Sequence, residues 1–176
     1  KIKGQVFEIT EKLDGSSATY YVDADGIYHV MSRNVDLARD ENNLWWKMSV
    51  KYNIEEMMLN LWSDPEFSKV FNKGFAIRGE IVGPGVNGNK LQLTEHDFYV
   101  FDLWEPIDGY CPPINRALII SVLGLKLVPT HSYLMTFDGT FENMLKLSNV
   151  QSMLNSNVQR EGLVFKSEDG NFTFKI

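Results

Sequence analysis

Thr10-Glu11-Lys12-Leu13-Asp14-Gly15-Ser16-Ser17 is the stretch from which the rest of the chain can be read. The strand-like run Gln5-Val6-Phe7-Glu8-Ile9 leads into it, and Ala18-Thr19-Tyr20-Tyr21-Val22 leads out. A lysine therefore stands where one strand gives way to a tight turn. Gly15 is expected to supply the backbone freedom that such a turn needs.

Working outward, Asp23-Ala24-Asp25-Gly26 reads as a hairpin turn, with Ile27-Tyr28-His29-Val30-Met31 as the returning strand. That strand delivers Ser32-Arg33-Asn34, and an arginine at a strand end can bond phosphate or ribose through several donors. Residues 41–72 read as helical. Leu44, Trp45, Met48 and Tyr52 recur at helical spacing, as do Ile54, Met57, Met58, Leu61 and Trp62. This Met and Trp stripe is expected to pack a core. Asp64-Pro65 is a stop followed by a start, with aspartate as the cap and proline at the first helical position.

Phe75-Ala76-Ile77-Arg78-Gly79-Glu80-Ile81-Val82 predicts a strand with Arg78 and Glu80 on one face. It runs into Gly83-Pro84-Gly85-Val86-Asn87-Gly88-Asn89-Lys90, a loop whose composition calls for unusual backbone angles. A carboxylate beside such a loop suits a ribose hydroxyl or a hydrated metal ion. Phe98-Tyr99-Val100-Phe101-Asp102-Leu103-Trp104 reads as a further strand. A helix is expected from Pro113 to Gly124, a strand over 128–135, and a helix capped by Thr140. His131, without a partner in sequence, reads as structural. Arg160–Ser167 and Phe172–Ile176 form a closing hairpin around Glu168-Asp169-Gly170-Asn171.

The 176 residues are enough for one domain with a sizeable core. The composition, 44% hydrophobic and 23% charged, is that of a globular protein. The net charge of −6 argues against a surface that coats nucleic acid indiscriminately, though it leaves room for a local basic groove. A single cysteine, Cys111, excludes an intrachain disulfide and points to a reducing, intracellular compartment, cytoplasm or nucleus. No apolar run approaches a membrane span. The start at Lys1-Ile2-Lys3 suggests a piece of a longer protein with an accessory domain outside residues 1–176.

The Lys12–Gly15 motif resembles the nucleotidyltransferase motif of ATP-dependent ligases and capping enzymes. Four further motifs stand in the order of that superfamily: Ser32–Asn34, Gly79–Glu80 with its loop, Phe101–Asp102, and Glu161–Gly162 with Lys175. One such motif is cheap, whereas five in order are not. Val82-Gly83-Pro84-Gly85 followed by Gly88-Asn89-Lys90 is similar to the form found in nick-sealing RNA ligases. The resemblance implies one adenylyltransferase domain over 1–176. Its expected fold is an α+β, ATP-grasp-like nucleotidyltransferase with two antiparallel sheets flanked by helices. It implies ATP and Mg2+ or Mn2+ as cofactors. The implied partner of a monomeric enzyme is a nicked RNA or RNA-containing duplex bearing 3′-OH and 5′-phosphate ends, with no membrane involved.

Residue by residue, the resemblance makes Lys12 the nucleophile that takes AMP from the α-phosphate of ATP. Glu11, Leu13 and Gly15 border the base. Arg33 and Glu80 hold the ribose, and Phe101 stacks on the adenine, with Tyr99 as second choice. Glu161 binds the metal with Glu80 sharing that task. Lys166 and Lys175 neutralise phosphate charge. A second lysine expected after Lys175 would fall beyond Ile176. Partial burial and neighbouring cations such as Lys175 and Arg33 would favour the neutral amine that attack requires. An ATP-dependent DNA ligase, a capping guanylyltransferase and a non-enzymatic nucleotide-binding module remain as alternatives. The loop and Glu11 argue against the guanylyltransferase.

Overall fold

The structure, a computed structural model, describes residues 2–138 and 140–176. Nine strands and five helices follow one another as β1 (Val6–Glu11), β2 (Ser16–Val22), β3 (Tyr28–Met31), α1 (Leu44–Lys51), α2 (Ile54–Ser63), α3 (Pro65–Val70), β4 (Phe75–Val82), β5 (Asp97–Glu105), β6 (Gly109–Tyr110), α4 (Pro113–Val122), β7 (Thr130–Thr136), α5 (Phe141–Ser148), β8 (Leu163–Ser167) and β9 (Thr173–Lys175). One antiparallel sheet has the order β7-β1-β8-β9 and the other β3-β2-β4-β5-β6. The α+β class with two antiparallel sheets and flanking helices is the one expected from sequence.

Period-two alternation explains how the sheets are used. On β1 and β8, Phe7, Ile9, Leu163 and Phe165 enter a core completed by Phe137 and Met144 of the α5 region. Their neighbours Glu8, Thr10, Val164 and Lys166 turn the other way, into a shared cavity. On β2 and β4, Ala18, Tyr20, Val22, Ile77 and Ile81 enter a second core with α1, α2 and α4. Ser17, Thr19, Arg78 and Glu80 face the cavity. Each sheet therefore buries its apolar face under helices and leaves its polar face free. A third cluster of Leu13, Val82, Leu91 and Val128 closes the seam between them.

Two local readings are corrected. The helical stretch 41–72 breaks at Asp64 as expected and also at Asn53, whose left-handed conformation (φ 51°) makes it three helices. Asp64 Oδ1 accepts from the N–H groups of Glu66 and Phe67 at 2.8 and 3.0 Å, as the Asp-Pro pair predicts. Thr140 does occupy the cap position of α5, but its hydroxyl donates to Asp138 Oδ1 rather than accepting from the helix.

Candidate active site

β1 belongs to one sheet and β2 to the other, so the turn Lys12–Gly15 is where the chain crosses between them. That crossing lies on the wall of a cavity of about 1080 Å³ lined by both sheets. Lys12, Glu80, Lys175, Arg33, Phe101 and Lys166, far apart in sequence, all line it. Glu161 does not, but its Oε1 forms an ion pair with Lys12 Nζ. The Lys12 N–H donates to Gly162 O at 3.0 Å, which fixes the lysine backbone against the Glu161 segment.

Gly15 is needed for a reason other than the one expected. Its backbone is not left-handed; instead a Cβ there would lie 2.2 Å from Ile81 O and 2.9 Å from Glu80 Cγ. This close approach lets the Gly15 N–H donate to Glu80 Oε1 at 3.1 Å. Burial pushes the Glu80 carboxyl up to about 7, against the opposing pull of that N–H and of Lys12 and Lys175. Glu80 is thus a carboxylate with less compensation than its burial demands.

The turn is also tied to the glycine-proline loop. Asp14 accepts from Asn87 Nδ2 and pairs with Lys90 Nζ. Asn87, Gly88 and Asn89 all have positive φ, so the composition of the loop reflects its conformation.

Asp102 reaches the cavity beside Phe101 through a feature invisible in the alternating pattern. Arg78 pairs with Asp102 and Gly79 with Val100, leaving Phe101 as the extra residue of a β-bulge. Phe98 and Val100 before it and Leu103 after it remain in the core. Phe101 and Asp102, although adjacent, therefore both line the cavity. Lys166 Nζ donates to Phe101 O at 3.2 Å and forms an ion pair with Asp102. Arg78 donates to the Tyr110 hydroxyl at 2.6 Å and sits 5.9 Å from the Phe101 ring centre. Burial draws the Lys166 ammonium down to about 8; Glu8 opposes this, and Arg78 and Lys175 reinforce it.

The second choice for stacking, Tyr99, is not part of the cavity lining; Lys126 lies 5.8 Å from its ring. Leu13 is a seam residue. Glu11 is corrected further. Its side chain is buried, and its carboxylate accepts from Ser152 Oγ and, at 2.8 Å, from Met153 N–H. Only its backbone is left to border the cavity. His131 is exposed and lies outside the lining.

Three features of the site escaped the sequence. Asp102 was singled out as part of a motif but not as a partner for Lys166. Glu8 lines the cavity and pairs with Arg116, both fully buried. Trp45, expected in the core, lines the cavity as well. Only the apolar strand context of Glu8 could have signalled a buried charge.

Among the described residues, no three His, Cys, Asp or Glu side chains gather as a metal cage. Glu80 and Glu161 instead offer a two-carboxylate arrangement around Lys12. Mg2+-type ions are commonly held by one or two carboxylates together with substrate phosphates. The incompletely compensated Glu80 fits such an ion.

The family model described as RNA ligase matches residues 5–176. No curated protein matches the sequence. Among solved structures, a Lys-to-Ala mutant of Naegleria gruberi RNA ligase with ATP and Mn aligns with a TM-score of 0.85 and 35% identity, covering 99% of this chain and 49% of that one. A Lys-to-Met mutant with AMP and Mn gives 0.83 and 36%, covering 98% and 49%. The Naegleria gruberi RNA ligase with PPi gives 0.83 and 37%, covering 98% and 49%. The chain thus spans about half the length of these solved relatives.

Proposed function

The chain belongs to the RNA ligase family, and from that premise we propose that it carries the ATP-dependent adenylylation site of a nick-sealing RNA ligase. The observation that carries this reading is the placement of Lys12: at the crossing between the sheets, paired with Glu161, on the wall that also holds Glu80 and Lys175.

In this mechanism ATP enters with its base toward Phe101, where aromatic stacking supplies binding energy. Arg33 and Glu80 take the ribose. Lys175 and Lys166 face the phosphates and offset their charge as the reaction proceeds. Lys12 leaves its ion pair with Glu161, gives up a proton to solvent and attacks the α-phosphorus. The N–P bond forms as the bond from the α-phosphorus to the bridging oxygen breaks, and pyrophosphate departs. Glu80 and Glu161 would hold Mg2+ or Mn2+, which supplies Lewis-acid stabilisation of phosphate charge. The lysyl-AMP then passes its AMP to a 5′-phosphate, and a 3′-hydroxyl displaces AMP to close the strand.

Intact mass measurement after incubation with ATP and magnesium tests the first step. A single AMP adduct is expected, labile in acid and stable in alkali, and absent from Lys12→Ala. Labelling of Lys12→Ala would remove Lys12 from its role. Sealing of two nicked duplexes that differ only in ribo or deoxy sugars at the 3′-OH end tests the strand preference. Faster sealing of the ribo end supports RNA, because the 2′-hydroxyl is what distinguishes the two.

A further inference from the structure

One residue of the cavity wall, Trp45, has no part in the binding of ATP set out above. The cavity's volume of about 1080 Å³ stands at the upper end of the roughly 300–1,000 Å³ usual for small-molecule sites. The groups assigned to ATP lie on the Lys12 turn, β4, β5 and the β8–β9 hairpin, with Arg33 just after β3. β3 pairs with β2 only over Thr19–Val22, so the edge of β2 at Ser17 lies beyond the end of β3. Trp45 fills that place, and its indole N–H donates to Ser17 O at 3.0 Å.

The indole is held on more than one side. The Trp45 N–H donates to the Asn43 cap at 2.9 Å, and its carbonyl accepts from the buried Tyr20 hydroxyl at 3.0 Å. Its polar atom is committed to Ser17, and what it contributes to the cavity wall is aromatic surface. Ser32, Arg33 and Asn34, which follow β3, also line the cavity, with Ser32 N–H donating to Val35 O at 2.9 Å. A fixed aromatic in a groove that also carries cations is the combination by which nucleic-acid bases are held without regard to sequence.

We propose that Trp45 is a stacking platform for a base of the RNA strand whose end enters the cavity. This rests on the ligase reading and adds an RNA subsite to it. A flat, sequence-tolerant contact suits an enzyme that must accept any base at a nick.

The test compares Trp45→Leu with Trp45→Phe. Both lose the hydrogen bond to Ser17, and only phenylalanine keeps an aromatic face. Affinity of the adenylylated proteins for a nicked RNA duplex is measured beside their rates of self-adenylation. Base stacking on an aromatic is worth about 1–3 kcal/mol, or about 5- to 150-fold in affinity. The leucine variant is therefore expected to bind the nicked RNA at least about fivefold more weakly than the phenylalanine variant, a gap larger than any between their adenylation rates. Equal RNA affinities of the two variants would overturn the proposal. So would matching losses in both steps, which would make Trp45 a wall of the ATP site. A wild-type protein that neither adenylates nor binds RNA would sink the ligase reading, and this inference with it.

Discussion

The N–H of Gly15 donates to Glu80 Oε1 at 3.1 Å, and no Cβ could stand between them. The Glu80 carboxyl is nevertheless raised by burial from 4.5 to about 7. Between those values the folded chain retains a proton that the unfolded chain has released, so this group costs stability as pH rises across the window. Above about 7 the full cost is present. Glu80→Gln carries no charge at any pH. The melting temperature of Glu80→Gln relative to wild type is expected to rise from pH 5 to pH 8. A constant difference would show that Glu80 is ionised throughout.

The Lys12–Glu161 ion pair joins the proposed nucleophile to a side chain of the last motif. Both side chains are about one-third exposed, so the pair adds little to stability. Glu161→Gln is expected to melt close to wild type and to slow self-adenylation by about 10²–10³-fold. Adenylation at the wild-type rate would make Glu161 a structural residue of its strand.

Glu11 is predicted to matter for stability first. Its carboxylate satisfies Ser152 Oγ and Met153 N–H in the interior. Glu11→Ala leaves donors without a partner, at about 1–3 kcal/mol for each buried group. At about 2–4 °C per kcal/mol for a chain of this size, the loss of both partners is expected to lower the melting temperature by roughly 4–24 °C. An unchanged melting temperature would mean that water replaces the carboxylate at no cost.

Glu8 and Arg116 form an ion pair with both side chains only 1% exposed. Removing one partner strands the other, a loss of about 3–5 kcal/mol. Arg116→Met is therefore expected to be strongly destabilised, and adding Glu8→Gln is expected to recover most of the loss. If the double variant is as unstable as the single one, the damage comes from the lost packing of Arg116.

Lys90 is two-thirds exposed where it pairs with Asp14. Lys90→Met is expected to change stability by less than about 1 kcal/mol. Its effect is expected in self-adenylation and in faster proteolytic cleavage of the loop 83–90. A loop as resistant to protease as in the wild type would mean that Asn87 alone secures it.

The sequence by itself determined where the strands lie, the shared face of Arg78 and Glu80, and the order of the motifs around Lys12, whose resemblance implied the class of fold. These are local properties. Alternation on β1, β2, β4 and β8 assigns side chains to core or cavity without reference to the rest of the chain. Tertiary structure decided which polar groups meet. Lys12 finds Glu161 across 149 positions, Glu11 finds Ser152 across 141, and Glu8 finds Arg116 across 108. No periodicity encodes those pairings, because they depend on how the two sheets and their helices pack. The bulge at Phe101 and the displacement of Trp45 from core to cavity have the same origin. The first is a register fixed between two strands, and the second follows from β3 ending before it can cover Ser17.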